Sequence, residues 1–264
     1  MVRKHERFNA ILERIAEDGS IDVEQLVADF GVSPATARRD LDDLADQQLI
    51  SRTRGGAVAG SVSYDLPLRY KNARQSDQKR RIADHAAQMI EPQSVVGFNG
   101  GTTTTEVARS LSSRADLAEG EAGALHSVTV VTNALNIASD LAVRRQLKVV
   151  VIGGVIRPQS FELVGHFARP VIEAMTIDLC FIGVDAVSAQ HGAATRHDDE
   201  GEINQEMTNR SQRVVVVADS TKLGKRAFCT ICPPGRIDTL LTDDGADPAV
   251  VREFESAGIE VVLA

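Results

Sequence analysis

The chain has 264 residues, of which 43% are hydrophobic and 25% charged, and its formal net charge is −8. These values are typical of a globular protein with one small and one larger domain, and they exclude a disordered chain. The longest apolar runs, Val149 to Gly154 and Val214 to Ala218, are far shorter than the roughly 20 residues that cross a bilayer. The N-terminus is charged and continues as an amphipathic pattern, which disfavours a secretory signal. We therefore predict a cytoplasmic protein without a membrane partner.

The cysteine and histidine residues give no support for a metal or redox centre. Three cysteines are an odd count, which fits a reducing compartment. Cys180 lies in an apolar run and is predicted to belong to the core. Cys229 and Cys232 have redox-motif spacing, but two prolines follow where a reactive pair normally meets a helix N-terminus. The histidines lack metal-ligand spacing. We predict no metal and no cofactor, and a redox or metal role for the cysteine pair stays a minor alternative.

Two short helices are predicted in the first thirty residues. In each, apolar residues recur at helical spacing. The first helix ends near Gly19, and the second is capped by Asp22 with Gln25 and ends at Gly31. Their apolar stripes are Phe8, Ile11, Leu12 and Ile15 in the first helix and Val23, Leu26, Val27 and Phe30 in the second.

A third helix begins after a short turn, with Ser33 as N-cap and Pro34 at its first position. At about 100° per residue, Ala37, Leu41 and Leu44 share one side of this helix. The opposite side carries small residues and arginines, as a recognition helix in a DNA major groove requires. The residues predicted to contact DNA from this segment are Ser33, Ala35, Thr36, Arg38 and Arg39.

A wing is predicted directly after the third helix. Alternation in residues 51–54 places Arg52 and Arg54 on one face of a strand, and Gly55-Gly56 turns the chain back through Ala57-Val58. Residues 1–60 contain 8 Lys and Arg against 11 Asp and Glu, so DNA affinity must come from a few placed arginines. The alternative is an ordinary three-helix bundle with a solvated arginine pair, and the wing argues against it.

Residues 59–78 lack a sustained period and are predicted to link a DNA-binding domain at 1–58 to a second domain at 79–264. Lys79-Arg80-Arg81 is expected to be the solvated end of a helix that continues to Ile90. A DNA-facing role for this triplet is the alternative.

From residue 91 onward, short β-branched runs alternate with helical segments, which predicts an α/β domain with a mostly parallel sheet and helices on both faces. The predicted strands are Val95 to Phe98, Val128 to Val131, Val149 to Ile152, Leu179 to Ile182, Val214 to Val217, Leu240-Leu241 and Glu260 to Leu263. Ligands of such sheets bind beyond the carboxyl ends of the strands.

The first of these strands leads into a loop suited to an anion. Its glycines let backbone N–H groups converge, its threonines add hydroxyls, and the following helix contributes a favourable N-terminal dipole. A P-loop and a dinucleotide fingerprint are both absent from the sequence, which disfavours nucleotide hydrolysis and NAD binding. A capped turn without a ligand is the alternative. The loop residues predicted to bind the effector are Asn99, Gly100, Gly101, Thr102, Thr103 and Thr104.

Other strand ends complete the set of groups that a sugar phosphate needs. We expect the phosphate at the threonines and the sugar hydroxyls at Asp185 and Asn133. The further residues predicted for the effector site are Thr132, Asn133, Gly153, Gly154, Arg157, Asp185 and Lys222.

The motifs of both halves resemble those of DeoR-family transcription regulators. The N-terminal resemblance runs from Val32 to Leu41 and from Ile50 to Ala57. The C-terminal motifs are Lys79 to Ala83, Gly100 to Thr104, Val131 to Asn133, Ile152 to Gly154 with Arg157, Leu163 to Gly165, Gly183 to Asp185, and Ala218 to Lys222. The resemblance implies a winged helix-turn-helix followed by a sensor domain similar to ribose-5-phosphate isomerase. It also implies a homo-oligomeric repressor of carbohydrate genes that binds a double-stranded operator and a phosphorylated sugar.

An enzyme is the rival interpretation of the second domain. A sugar-phosphate isomerase or deaminase could use Asp185 with Glu200 or Glu202 as acid and base. A dedicated DNA-binding module would then be unexplained, so we predict a regulator and not an enzyme.

Overall fold

The computed structural model describes residues 4–47, 49–59, 75–117 and 126–264. The chain divides into two compact units, Met1–Arg74 and Gln75–Ala264. Most of the predicted linker, residues 60–74, lies outside the described residues. Within the described ranges, no helix combines the length and apolar character needed to span a membrane.

The N-terminal unit is a winged helix-turn-helix. Its helices are α1 (Lys4–Asp18), α2 (Val23–Phe30) and α3 (Pro34–Asp46). Strands β1 (Ser20–Asp22), β2 (Ile50–Arg52) and β3 (Gly56–Ala59) form an antiparallel sheet in the order β1-β3-β2. The sequence did not predict β1, because a three-residue strand owes its existence to a distant partner, here β3.

Local capping determines where α2 and α3 begin. The Asp22 carboxylate accepts the Gln25 N–H at 2.7 Å, and the Gln25 side chain accepts the Asp22 N–H at 3.0 Å. Gly31 ends α2 with a left-handed φ of 61°, which glycine adopts without a steric penalty. The predicted start and end of α2 are both confirmed.

The predicted apolar stripes of the three helices meet in one core together with the sheet. Each buried leucine or isoleucine contributes roughly 1.5–3 kcal/mol to folding. The core residues are Phe8, Ile11, Leu12, Ile15, Ile21, Val23, Leu26, Ala37, Leu41, Leu44, Leu49, Ile50 and Ala57.

The C-terminal unit is built on a seven-stranded sheet in which every pairing is parallel. The spatial order of its strands is β15-β14-β12-β9-β4-β5-β6. All seven strands were predicted, with boundaries that differ by a few residues. They are β4 (Val95–Phe98), β5 (Val128–Thr132), β6 (Leu147–Val151), β9 (Ile177–Gly183), β12 (Ser211–Val217), β14 (Thr239–Thr242) and β15 (Glu260–Leu263).

Helices cover both faces of this sheet. They are α4 (Ser76–Gln88), α5 (Thr102–Ser112), α6 (Leu135–Leu141), α7 (Arg169–Glu173), α8 (Asp198–Asn209) and α9 (Pro248–Ser256). Successive strand residues point to opposite faces, so Val215 and Val217 pack with α4, α5 and α6, whereas Val214 and Val216 pack with α7, α8 and α9. The predicted three-layer α/β fold is confirmed.

Two smaller sheets were not predicted. Strands β7 (Val155–Arg157) and β8 (Glu162–Val164) form an antiparallel hairpin beyond β6. Strands β10 (Ala186–Ser188), β11 (Gly192–Thr195) and β13 (Cys229–Cys232) form a three-stranded sheet after β9. Both lie beyond carboxyl ends of the main sheet.

Candidate functional site

The start of the recognition helix α3 is held by two of the residues predicted to contact DNA. The Ser33 hydroxyl accepts the Thr36 N–H at 3.1 Å and lies 2.9 Å from the Thr36 hydroxyl. These two hydroxyls therefore position the first turn of α3, whose orphan N–H groups need such partners.

The outer side of α3 presents a small residue and two arginines. Ala35, Arg38 and Arg39 are exposed, and within the described residues neither arginine has an ion-pair partner. Small side chains permit close approach to a duplex, and free guanidinium groups can contact guanine edges or phosphates. The structure thus places three of the predicted DNA-binding residues on one accessible surface.

A buried ion pair fixes α3 against α1, and the sequence analysis missed it. The Arg7 guanidinium donates to the Asp40 carboxylate through Nε at 2.8 Å and Nη2 at 3.1 Å. Asp40 is only 3% exposed. Its hydrogen bond raises the pKa of Arg7 above the usual value. The available signal was the position of Asp40 in the same helical stripe as Ala37 and Leu44.

The two wing arginines have different environments. The Arg52 guanidinium contacts the Asp42 carboxylate at 2.9 Å and donates to the Gly56 carbonyl at 2.6 Å. The predicted strand through residue 54 was too long, because β2 ends at Arg52 and Arg54 lies exposed in the turn. Thus Arg52 ties the wing to α3, while Arg54 faces solvent at the wing tip.

In the C-terminal unit, the order of the strands in the sheet reverses between the parallel neighbours β4 and β9. The crevice beyond the carboxyl ends of the strands at such a point is where ligands bind in sheets of this type. The Asn99 carboxamide bridges the ends of these strands, donating to the Gly183 carbonyl at 2.9 Å and accepting the Gly183 N–H at 2.8 Å. Its oxygen and nitrogen are both used there, so Asn99 holds the crevice together.

The predicted anion loop lies at the start of α5. Gly101 has a φ of 140°, and the Thr104 and Thr105 hydroxyls donate to its carbonyl at 3.2 and 2.6 Å. The hydroxyl of Thr103 is buried, and no hydrogen-bond partner for it is present in the described residues. Within the described residues, this hydroxyl is therefore an unused donor in the first turn of α5.

Two predicted site residues at the end of β5, Thr132 and Asn133, have different hydrogen-bond partners. The Thr132 hydroxyl donates to the Phe98 carbonyl at 2.7 Å and accepts the Ala134 N–H at 3.0 Å. The Asn133 carboxamide instead lies against Glu162, with 3.4 Å between Nδ2 and Oε1.

Gly153 and Gly154 shape the β7–β8 hairpin. Both have positive φ, 88° and 121°, and a Cβ on Gly154 would lie 2.6 Å from the Val164 carbonyl oxygen. The hairpin that they begin carries Arg157 and Glu162, and these side chains are largely buried. The glycines therefore contribute to the crevice through the hairpin.

Arg157 is one of two predicted cations in this region. Its guanidinium is 3.1 Å from the Glu200 carboxylate and 3.8 Å from that of Asp199. The other cation, Lys222, donates to the Val184 carbonyl at 2.5 Å.

The acidic groups of the crevice are linked through one threonine. The Thr195 hydroxyl lies 3.2 Å from Asp185 Oδ2 and 3.0 Å from Glu200 Oε2. The structure thus brings Asp185, predicted to bind sugar hydroxyls, into one group with Arg157 and Glu200.

Glu162 is the main crevice residue that the sequence analysis missed. It is 2% exposed, and its carboxylate accepts the Gly100 N–H at 2.7 Å. A Cβ on Gly100 would lie 2.2 Å from Glu162 Cγ, so glycine is required there for this contact. Burial and the neighbouring Glu200 carboxyl raise the pKa of Glu162 to about 8.

Comparison with known proteins assigns both units. The DeoR-like helix-turn-helix domain matches residues 7–62, and the DeoR C terminal sensor domain matches residues 74–244. The chain belongs to the DeoR family. The HTH-type transcriptional regulator GlpR of Haloferax volcanii is 35% identical over 97% of this chain and 96% of that protein. The glycerol-3-phosphate regulon repressor of Escherichia coli is 28% identical over 99% of this chain and 100% of that protein.

This DeoR-family chain is accordingly a DNA-binding transcription regulator and not an enzyme, and the isomerase or deaminase interpretation is set aside. Among solved structures, ribose 5-phosphate isomerase from Plasmodium falciparum aligns with a TM-score of 0.39 at 14% identity. That alignment covers 58% of this chain and 52% of the isomerase.

The basic triplet Lys79-Arg80-Arg81 is only partly exposed to solvent, in contrast to its prediction from the sequence. Lys79 is only 4% exposed, so the expectation of a fully solvated basic triplet was wrong; α4 begins at Ser76 and turns Lys79 inward. Arg81 is exposed and forms a bidentate pair with Asp244 at 2.6 and 3.1 Å.

The cysteine pair of this DeoR-family protein lies on strand β13, and a Cβ on Gly201, in the first turn of α8, would lie 2.3 Å from Cys229 Sγ. Burial raises the pKa of Cys232 to about 11, and burial with the Asp198 carboxylate raises that of Cys229. Both thiols are therefore protonated at neutral pH, which disfavours thiolate chemistry.

The raised pKa of Glu162 predicts a pH-dependent stability. The folded state holds this proton up to about pH 8, whereas the unfolded carboxyl loses it near pH 4.5. The contribution of Glu162 to the free energy of unfolding is therefore largest below pH 4.5. It falls by roughly 1.4 kcal/mol per pH unit as the pH rises from there towards 8. We expect Glu162→Gln to unfold near the wild-type temperature at pH 5 and above it at pH 8.5, measured by calorimetry.

A matched control for this measurement is Glu255→Gln on α9, because Glu255 is exposed. It should leave the unfolding temperature unchanged at both pH values. If the Glu162→Gln and wild-type proteins were equally stable at pH 8.5, ionisation of Glu162 would not destabilise the folded state.

Proposed function

We propose that this DeoR-family regulator is a repressor of carbohydrate-metabolism genes that a phosphorylated sugar controls through the crevice. The observation that carries the proposal is the buried hydroxyl of Thr103 in the first turn of α5, for which the described residues supply no hydrogen-bond partner. A helix N-terminus with free N–H groups and a spare hydroxyl suits a phosphate. The relatives named as repressors, including one of a glycerol-3-phosphate regulon, are consistent with this proposal.

We further propose which residues would hold each part of the effector. Gly101, Thr102 and Thr103 would hold the phosphate, and Asp185, Asn133 and Arg157 the hydroxyl groups. Lys222 would stabilise negative charge near the end of β9. Asn99, Gly100, Thr104, Thr132, Gly153 and Gly154 would act by shaping the loop and the hairpin.

We propose a corresponding set of contacts for the DNA complex. Ala35, Arg38 and Arg39 would enter the major groove, and Arg54 would contact the backbone from the wing. Ser33, Thr36 and Arg52 would position α3 and the wing. We further propose a cytoplasmic homodimer or higher oligomer, because two helices on a repeated operator double a contact set that is small for one protomer.

Control by the effector follows from linkage. The phosphorylated sugar must bind the DNA-competent and DNA-incompetent forms with different affinities, and each tenfold difference corresponds to about 1.4 kcal/mol. The change in DNA affinity that the effector causes equals the change in effector affinity that DNA causes.

A single substitution tests the effector site. Thr103→Val keeps the shape of the side chain and removes a buried hydroxyl that has no partner in the described residues. We expect unchanged or slightly higher stability, since no hydrogen bond is lost, and about tenfold weaker binding of the effector. Calorimetric titration with phosphorylated sugars measures the affinity, and thermal unfolding measures the stability.

The DNA assay uses fluorescence anisotropy with the protein's own promoter region at 50 and 200 mM salt. Sequence-selective binding that weakens steeply with salt is expected. Thr103→Val should bind the promoter as the wild type does but respond only at higher effector concentration. A variant that responds at wild-type concentrations would contradict the assignment of Thr103.

A further inference from the structure

An acidic residue shares the outer side of the recognition helix α3 with its two arginines. Asp42 follows Arg39 by three positions and Arg38 by four, and these spacings place side chains next to one another on one side of a helix. The side chain of Asp42 is 60% exposed. The surface that faces DNA in a winged helix-turn-helix therefore carries a carboxylate directly beside the two guanidinium groups.

Arg52 of the wing holds this carboxylate in place. Its Nε lies 2.9 Å from Asp42 Oδ1, and its Nη1 donates to the Gly56 carbonyl at 2.6 Å. One guanidinium thus contacts both α3 and the wing backbone, which fixes the carboxylate relative to the two DNA-facing elements. No hydrogen bond of Asp42 Oδ2 is present in the described residues, so this oxygen is available as an acceptor.

Neither stability nor DNA affinity explains a carboxylate at this position. Ion pairs between exposed side chains contribute little to folding, because water and salt screen them. The phosphates of any duplex repel a carboxylate, so Asp42 lowers the affinity for DNA in general. A group that weakens binding to all sequences but accepts a hydrogen bond from one base increases the difference between the right and the wrong sequence.

The base that suits a carboxylate in the major groove is cytosine. Its N4 amino group donates a hydrogen bond, whereas guanine presents N7 and O6 and thymine presents O4, all of which are acceptors. Adenine presents a donor beside an acceptor and pairs best with a carboxamide. Of the four bases, cytosine alone therefore offers a carboxylate a donor without an adjacent acceptor.

We propose that Asp42 reads a cytosine of the operator through its N4 amino group and that Arg52 is the positioning residue for Asp42. The inference goes beyond the proposed function, because it concerns the sequence of the operator and does not depend on the effector. It adds discrimination between sequences to the contacts of Arg38 and Arg39.

The test determines the sequence preference of the full chain and of its variants. Bound duplexes are selected from a pool of randomised sequence, and their affinities are measured by fluorescence anisotropy beside those of unrelated DNA. We expect a wild-type site in which replacing one cytosine weakens binding about 10-fold, as a single wrong base pair does. Asp42→Ala should tolerate every base at that position and bind unrelated DNA about 3-fold more tightly. Asp42→Asn should select adenine there, because a carboxamide pairs with adenine N6 and N7.

Asp46→Ala is the matched control for the loss of one negative charge. Asp46 is exposed on the same side of α3, four positions after Asp42, and no ion-pair partner for it is present in the described residues. This variant should bind selected and unrelated DNA more tightly by the same factor and keep the preference for cytosine. Arg52→Met should weaken the preference for cytosine and leave the preferences at the other positions unchanged.

Four results would overturn the inference. They are a cytosine preference that persists in Asp42→Ala, a wild-type preference for another base at the position that Asp42→Ala changes, an equal loss of preference in Asp46→Ala, and no gain of adenine in Asp42→Asn. A cytosine preference that is unchanged in Arg52→Met would overturn the positioning role of Arg52. Thermal unfolding of each variant should occur at the wild-type temperature, because all three side chains are at least partly exposed.

Discussion

Replacing Asp40 by alanine is expected to destabilise the N-terminal unit by about 3 kcal/mol. The substitution removes the bidentate partner of Arg7 and retains a guanidinium that is only 8% exposed, and breaking one partner of a buried pair typically costs about 3–5 kcal/mol. The lower figure allows for the small size of this unit. Hydrogen exchange of the α3 amides, measured by mass spectrometry on the full chain, should show the loss of protection.

A neighbouring ion pair is the control. Lys4 and Asp43 also join α1 to α3 at 2.7 Å, but their side chains are 60% and 34% exposed. Asp43→Ala should therefore cost at most about 0.5 kcal/mol. An Arg7→Met, Asp40→Leu double variant should recover most of the lost stability, because apolar pairs often replace buried ion pairs without loss. Equal effects of Asp40→Ala and Asp43→Ala would contradict a special role for the buried pair.

The features that the sequence predicted are those that short-range rules determine. Asp22 with Gln25, Gly31, and Ser33 with Pro34 set helix ends within three or four residues along the chain, so their roles could be inferred before any fold was known. The seven parallel strands were visible as short apolar runs, most of them rich in valine, between helical segments. Their carboxyl ends then indicated the crevice.

The features that were missed depend on contacts between distant segments. Glu162 reaches Gly100 across 62 residues, and it does so through a hairpin whose strands have three residues each. Arg7 and Asp40 are 33 residues apart. A polar residue in such a place looks like a solvated one until its burial is known, and the same holds for Lys79.

Some predicted site residues have exposed side chains, whereas others use their side chains to bond backbone groups. Arg38 and Arg39 project from α3, as the helical period required. Asn99 and Thr132 use their side chains on backbone groups of neighbouring strands, which no sequence pattern distinguishes from facing a ligand. The sequence therefore identified the loops of the crevice better than the individual groups that line it.

Substituting Arg38 or Arg39 by alanine is expected to weaken operator binding by about 100-fold in the proposed dimer. Each lost contact to a base edge or phosphate costs about 1–3 kcal/mol, and a symmetric dimer loses it twice. Both side chains are exposed, so folding and effector affinity should remain at wild-type values. Anisotropy with operator DNA and with unrelated DNA of equal length measures the two affinities.

The control for the loss of one positive charge is Arg14→Ala on α1. Arg14 is exposed and pairs with Asp18 at 2.8 Å. This variant loses the same formal charge but should bind the operator as the wild type does. The affinities for the operator and for the unrelated DNA then show whether each arginine of α3 contacts a base or a phosphate. A loss confined to the operator indicates a base contact, whereas an equal loss on both with a shallower salt dependence indicates a phosphate contact. Operator affinity that falls equally in Arg14→Ala would mean that net charge, and not the surface of α3, governs binding.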